Sequence, residues 1–260
     1  MAGGRLGWYA RRLRTMGAAE IAWRGRRAAQ GLLHDAVPAR LTHPADRLPT
    51  DDTWWDDALA AFRTAEDRPV LLDRDTAAAV AADAPASVAA VVAAAERVLE
   101  GRVQYFGYPE ARLADPPDWH HDPLRDHRWP RVAASRLDHR TAPADPKWIW
   151  ELNRLQHLPW LAQAWLVTGR DAFAEAAFRH LDSWVGANPV GVGIAWRGAF
   201  EAGVRAISVL AALQGLRDSP LLDRGRFRSY VTVLDAGARA CWRERSLHSS
   251  ANNHLVGELA

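Results

Sequence analysis

Three short stretches bring groups capable of acid, base or anion chemistry next to aromatic residues. The first runs Lys147-Trp148-Ile149-Trp150-Glu151-Leu152-Asn153-Arg154-Leu155-Gln156-His157. Glu151, Arg154 and His157 are three apart, so on a helix they share roughly one face near its start. That face would offer a carboxylate, a guanidinium able to hold a carboxylate or sulfate through paired hydrogen bonds, and an imidazole. The plainer account is a first-turn glutamate favoured by the helix dipole and ion-paired to Arg154. The second stretch is Gly193-Ile194-Ala195-Trp196-Arg197-Gly198-Ala199-Phe200-Glu201, continuing to Arg205. Its glycine-rich loop presents Trp196, whose indole face suits the apolar face of a pyranose. Glu201 and Arg205 are an i,i+4 pair, which by itself reads as a structural bridge. The third is Ser249-Ser250-Ala251-Asn252-Asn253-His254, followed by Glu258. Adjacent asparagines and a histidine either cap a helix or do chemistry, because their side chains compete with helical hydrogen bonds.

These groups must be positioned by helices. Residues 17–33 read as a basic amphipathic helix, 34–53 as a proline-containing linker, and Trp54 to Phe62 as a short helix. Val70-Leu71-Leu72 is a strand or a buried turn, and an alanine-rich helix follows Pro85 to about Leu99, ended by Gly101. From Gly101 to Pro146 the chain becomes rich in proline and histidine, the composition of a functional loop or linker. Beyond it, apolar residues recur at helical spacing from Leu152 to Leu166, from Phe173 to Val185, from Phe200 to Ala211 and from Phe227 to Trp242. Short breaks between these runs predict antiparallel helical hairpins in an all-α architecture. Two segments are expected: 1–75, helical and linker, and 76–260, a helical domain carrying the loop 101–146.

Composition narrows the chemistry. The single cysteine, Cys241, excludes an internal disulfide framework. His120, His121, Asp122 and His127 could hold a metal but show no clear ligand geometry, so neither a metal nor a cofactor is expected. No run reads as apolar for long enough to span a bilayer, and no apolar stretch follows the N-terminal arginines, so the cytoplasm is the default location expected. Between Arg5 and Arg27 seven arginines face one acid, Glu20, a balance suited to a solvated face or to an anionic partner. No recognition motif accompanies them, so no nucleic-acid partner is expected. Thirteen tryptophans fit either helix packing or sugar stacking.

In combination, the chain resembles the heparinase II/III-like polysaccharide lyases over nearly its whole length. The resemblance rests on Trp119-His120-His121-Asp122-Pro123 with Trp129-Pro130, Lys147 to His157, Thr168-Gly169, Asn188-Pro189, Trp196 with Glu201 and Arg205, and Ser250-Ala251-Asn252-Asn253-His254-Leu255. It implies an incomplete α/α toroid whose cleft holds a uronic-acid-containing acidic polysaccharide. The β-sandwich that follows in the family has no counterpart in these residues. It also implies β-elimination: a base takes the C5 proton of the uronate, the bond to the C4 oxygen breaks, and an unsaturated sugar remains. The uronate carboxylate must be neutralised for that proton to leave. By resemblance Asn253, then His254, are the catalytic candidates at the neutralising position, with Asn252 beside them. Glu151, Arg154, His157, Trp196, Glu201 and Arg205 would line or brace the cleft. The family's catalytic tyrosine would fall after Ala260, and the ending Gly257-Glu258-Leu259-Ala260 reads as the middle of a helix, so a truncated chain is expected. Family members also act in the periplasm or outside the cell. Two other readings stay open: a glycoside hydrolase using Glu151 and Glu201, and a non-catalytic module that binds acidic glycans.

Overall fold

The computed structural model describes residues 16–36, 48–65, 73–244 and 258–260. Its helices are α1 (Ala18–Ala36), α2 (Asp52–Thr64), α3 (Arg74–Asp83), α4 (Pro85–Leu99), α5 (Lys147–Asn153), α6 (His157–Thr168), α7 (Asp171–Ala187), α8 (Ala199–Leu216) and α9 (Arg224–Glu244). Two-residue strands form two antiparallel hairpins in the long loop: β1 (Arg102–Val103) with β2 (Ala111–Arg112), and β3 (His121–Asp122) with β4 (His127–Arg128). Single 3-10 turns lie at Ala134–Arg136 and Ile194–Trp196. The helices build an incomplete α/α toroid, as the family resemblance implies.

Helix α6 is the hub. Leu158, Leu161, Ala162, Ala164, Trp165 and Leu166 are all buried, and α3, α4, α7 and α8 pack around it. A helix apolar on every side belongs in a core, where each large side chain contributes about 1.5–3 kcal/mol by leaving water. Close approach to α8 needs Gly215, because a Cβ there would lie 3.0 Å from the Cβ of Ala162. Helix α9 covers the other side of α8, and α2 closes on α9 through Trp55 and Phe62 against Phe227. Arg63 ties this corner down by donating to the carbonyls of Arg217 (3.1 Å) and Leu222 (2.7 Å).

Two elements differ from the sequence expectation. Helix α3 was not anticipated; Asp73 caps it by accepting from the Thr76 N–H at 2.6 Å, but it buries none of its residues and so has no apolar stripe to read. The run expected to be one helix from Leu152 to Leu166 is two, broken at Leu155, whose φ is +57°. The physical reason is Pro159, whose ring lacks an N–H and would clash with the carbonyl of Leu155 in a continuous helix. That carbonyl instead accepts from Leu158 N–H at 3.0 Å. Val70-Leu71-Leu72 and most of the arginine-rich N-terminus lie outside the described residues.

Helix α8 is long and apolar enough to cross a bilayer by length and composition, which qualifies the reading that no segment is. Here it is a core helix between α6 and α9, with Glu201 and Arg205 buried in its first turns.

The loop 101–146 is bound down along its length. Trp119 donates its indole N–H to Ser183 Oγ at 3.0 Å, Ala134 N–H bonds Gly191 O at 2.8 Å, and Arg197 Nε bonds Leu137 O at 2.9 Å. At its start Gly101 adopts φ +70°, and a Cβ there would meet Leu113 O at 2.7 Å, so only glycine fits.

Candidate functional site

The break at Leu155 leaves Glu151 and Arg154 at the end of α5, facing the start of α8. Arg154 holds Glu201 with two parallel bonds, Nε to Oε2 at 2.8 Å and Nη2 to Oε1 at 3.0 Å. Its Nη1 donates to Glu151 Oε1, while Gln156 Nε2 donates to Glu151 Oε2 at 2.9 Å. The guanidinium also sits 5.2 Å from the ring centre of Phe200. One arginine thus joins α5 to α8 through two buried carboxylates. Burial pushes the Glu151 carboxyl above its usual range, against the pull of Arg154. For Arg154 burial acts downward, but the paired carboxylates prevail and the net shift is upward. Tyr105, buried above α5 with its ring 5.8 Å from that of Trp148, is pushed up by burial and then by the charge of Glu151.

Arg205 does not form the i,i+4 bridge to Glu201 that spacing alone suggests. Only 2% exposed, it lies over the rings of Trp184 (4.5 Å) and Trp196 (4.8 Å) and donates to Ala195 O at 2.9 Å. Burial lowers its pKa to about 10, which leaves it charged at neutral pH. Counting charges, Glu151 and Glu201 are balanced by Arg154 and Arg205. Trp196, expected as a sugar subsite, is buried, with its N–H bonded to Asn188 O at 3.1 Å. Its face is taken by Arg205, which leaves no open surface for a pyranose. Trp184 donates to Asn153 Oδ1 at 2.9 Å, and Asn153 Nδ2 donates to Trp119 O at 3.0 Å, so the buried polar chain runs on into the long loop.

His157 stands apart from the arginine cluster, which corrects the expectation that it shares a face with Glu151 and Arg154. Beginning α6 after the break, it is buried against His180 of α7, with His157 Nε2 3.2 Å from His180 Nδ1. His180 Nε2 lies 3.3 Å from Asp115 Oδ1, and Asp115 is held by Arg179 at 2.9 and 2.7 Å. A carboxylate only accepts, so the neutral tautomer of His180 donates to Asp115 and accepts from His157. Trp119 stacks on His157, ring centres 6.3 Å apart. Burial drives His157 well below its ordinary value and His180 down to about 4.

The histidines of the loop diverge. His120 Nε2 meets Ala187 O at 3.1 Å, His121 meets Asp126 at 3.0 Å, Asp122 accepts from Leu124 N–H at 2.9 Å, and His127 packs edge-on against Trp129. Among the described residues no group of three or more His, Cys, Asp or Glu is arranged to hold a metal ion.

The start of α8 also meets α9 through Cys241, whose Sγ bonds Ala199 O at 3.3 Å. Burial and then the Glu258 carboxylate push this thiol up, so Glu258 faces the same corner. The profile of the family described as Heparinase II/III N-terminus matches residues 54–260. The chain belongs to that heparinase II/III family. Among solved structures it resembles heparan sulfate lyase HepC from Pedobacter heparinus, at 14% identity and a TM-score of 0.53 over 80% of this chain and 29% of that one. A mutant of the same lyase gives 15% identity and a TM-score of 0.56 over 80% and 30%. At such identity the likeness is one of fold, and the chain spans about three tenths of the length of those lyases. No curated protein matches.

Within this heparinase II/III chain the structure brings Glu151, Arg154 and Glu201 together, sets Arg205 and Trp196 behind them, and places His157 elsewhere. Asn252, Asn253 and His254 lie outside the described residues. Sequence reasoning missed His180 and Asp115 as partners of His157, Phe200 beside Arg154, and Tyr105 as a neighbour of Trp148 within reach of the Glu151 charge. All are distant in sequence from the groups they serve, so no local spacing announces them.

Proposed function

We propose that this chain is the substrate-gripping helical part of a polysaccharide lyase that acts on uronic-acid-containing acidic polysaccharides by β-elimination. The observation that carries the reading is the Arg154 cluster, at the junction of two helices in a chain matched by the family from residue 54 to 260. Glu151 and Glu201 hold the guanidinium rigid. Nη1 and Nη2 each carry a second N–H beyond those engaged, and these are the donors for a uronate or sulfate oxygen. Arg205 braces the same helix junction, donating to Asn153 O at the end of α5 (3.5 Å) and to Ala195 O (2.9 Å). Asn253 neutralises the uronate carboxylate with His254 next to it, as the family resemblance implies, and Asn252 supports the segment. Neutralisation matters because negative charge develops on the carboxylate as the C5 proton leaves.

The hydrolase reading loses its acid and base. Both candidate carboxylates are bonded to one arginine, which leaves neither Glu151 nor Glu201 available as the general acid or as the base for water. The test is ultraviolet absorbance of heparan sulfate, alginate and hyaluronan incubated with this chain and with a version carrying the family's following domain. A rise marks the unsaturated uronate; new reducing ends without absorbance would overturn the lyase reading. Salt-sensitive binding with no product would support a glycan-binding module instead.

A further inference from the structure

Trp150 stands four residues before Arg154 on α5, and the Arg154 N–H bonds the Trp150 carbonyl at 2.9 Å. Residues so spaced in a helical turn share one face, so the half-buried indole and the guanidinium start from the same side of α5. The indole N–H donates to Ile194 O at 3.1 Å, which fixes the ring against the turn Ile194–Trp196. Against this indole packs His139 of the long loop, ring centres 5.2 Å apart at 61°. The backbone delivers it there: Ala133 pairs with Val192, Gly193 N–H bonds Val132 O at 2.8 Å, and Arg197 Nε bonds Leu137 O. Arg197 in turn lies just before α8, where Phe200 and Glu201 hold Arg154. Two separate chains of contact thus bring His139 to within one side chain of the arginine cluster.

His139 also differs from the other loop histidines in its bonding. His120 and His121 each spend Nε2 on an oxygen of the protein. In His139, Nδ1 is buried without a partner, whereas Nε2 is not buried and bonds nothing among the described residues. A buried N–H without an acceptor costs more than a buried lone pair, so the neutral ring carries its proton on Nε2 and turns a donor outward. Burial, then the charges of Arg197 and Arg140, holds the imidazole below its ordinary pKa, with Asp138 opposing them.

We propose that His139 is a substrate-contacting residue: its Nε2 donates to an anionic oxygen of an acidic oligosaccharide whose neighbouring unit is held by Arg154, with the Trp150 indole between them. The inference rests on the polysaccharide-binding reading above and deepens it by giving the cleft a second anion contact, on the side of the long loop. It also moves the aromatic contact from Trp196, whose face is covered, to Trp150. Protonation of His139 in acid turns the donor into a cation, so the same contact strengthens as pH falls.

Calorimetric titration of the 260-residue chain with size-defined heparan sulfate and alginate oligosaccharides, at about pH 7 and about pH 5, tests it. H139F keeps an aromatic ring on Trp150 but removes the donor, and should weaken binding at neutral pH by roughly five- to tenfold. H139Q puts an amide N–H near the same position and should retain most of the affinity. The parent chain should gain affinity on acidification, and both variants should show a smaller gain. H127F is the control, since His127 packs on Trp129 outside these contacts. Circular dichroism and Tm confirm that each variant folds. If H139F does not fold, H139Q decides alone, by keeping its neutral affinity and losing part of the acid gain. Full affinity in H139F, an equal loss in H139Q or H127F, or an undiminished acid gain in H139Q overturns the contact while the lyase reading stands. If the unsubstituted chain binds neither oligosaccharide, the functional reading itself fails and this inference falls with it.

Discussion

The arginine cluster and the histidine pair arise from one seven-residue stretch, Glu151 to His157, yet they solve burial in opposite ways. Around Arg154 each buried charged group has an opposite charge in contact. Around His157 the groups stay neutral, because burial makes protonation unfavourable and a shared hydrogen bond satisfies both rings. On the proposed reading the first arrangement leaves donors for an incoming anion; the second leaves only packing and a link from the long loop to α6 and α7. Proximity in sequence therefore says little about shared function when a backbone break lies between.

The sharpest way to break the comparison is R154A. It leaves two buried carboxylates without their cation, and a loss of about 3–5 kcal/mol is expected in denaturant unfolding. R154K should recover only part of this, because an ammonium cannot reproduce the paired bonds to Glu201.

Next is acid. For His180 the folded pKa, about 4, lies below the ordinary 6.5, so between these values the unfolded chain binds the extra proton. Stability from this group is complete above pH 6.5 and is lost as pH falls towards 4, by on the order of 3 kcal/mol. Glu151 has the opposite sign: burial raises its pKa, so its contribution declines as pH rises out of the carboxylate range. Tm measured across this range should fall on acidification in the parent chain, and H157F/H180F should remove that slope while keeping the effect of Glu151.

A smaller effect is expected for R205M, which keeps the side-chain length but gives up the bond to Ala195 O and the contacts with two indoles. About 1–3 kcal/mol should be lost, with glycan affinity falling in parallel if the residue braces Arg154. The smallest is G101A, about 1–2 kcal/mol, from the φ of +70° and the close carbonyl of Leu113. Because the hairpin it starts carries Tyr105 to one region and Asp115 follows on to the other, hydrogen exchange should rise at both.

Helices α2, α4, α7, α8 and α9 were legible because each has an apolar stripe with breaks at either end. Helix α3 was not, since its residues are at most partly buried and its alanines repeat at no period. The break at Leu155 hid beneath a leucine pattern that continues through it, and Pro159, the signal for it, stands four residues further on. Candidate residues were readable by type, but their pairings were not. Glu201 bonds an arginine 47 positions away and ignores the one four positions on. Local spacing ranks neighbours on one helix, whereas the ion pairs here were settled by which helices meet.

The left-handed turn at Leu155 also changes how many variables the fold can adjust. In one continuous helix, the rotation that seats leucines in the core would also dictate where Glu151 and Arg154 point. With a single residue reversing the twist, α6 takes its angular phase from α3, α4, α7 and α8, while α5 takes its own from α8 and the turn at Ile194–Trp196. Substitutions that repack the hub can therefore accumulate without turning the arginine away from its partner.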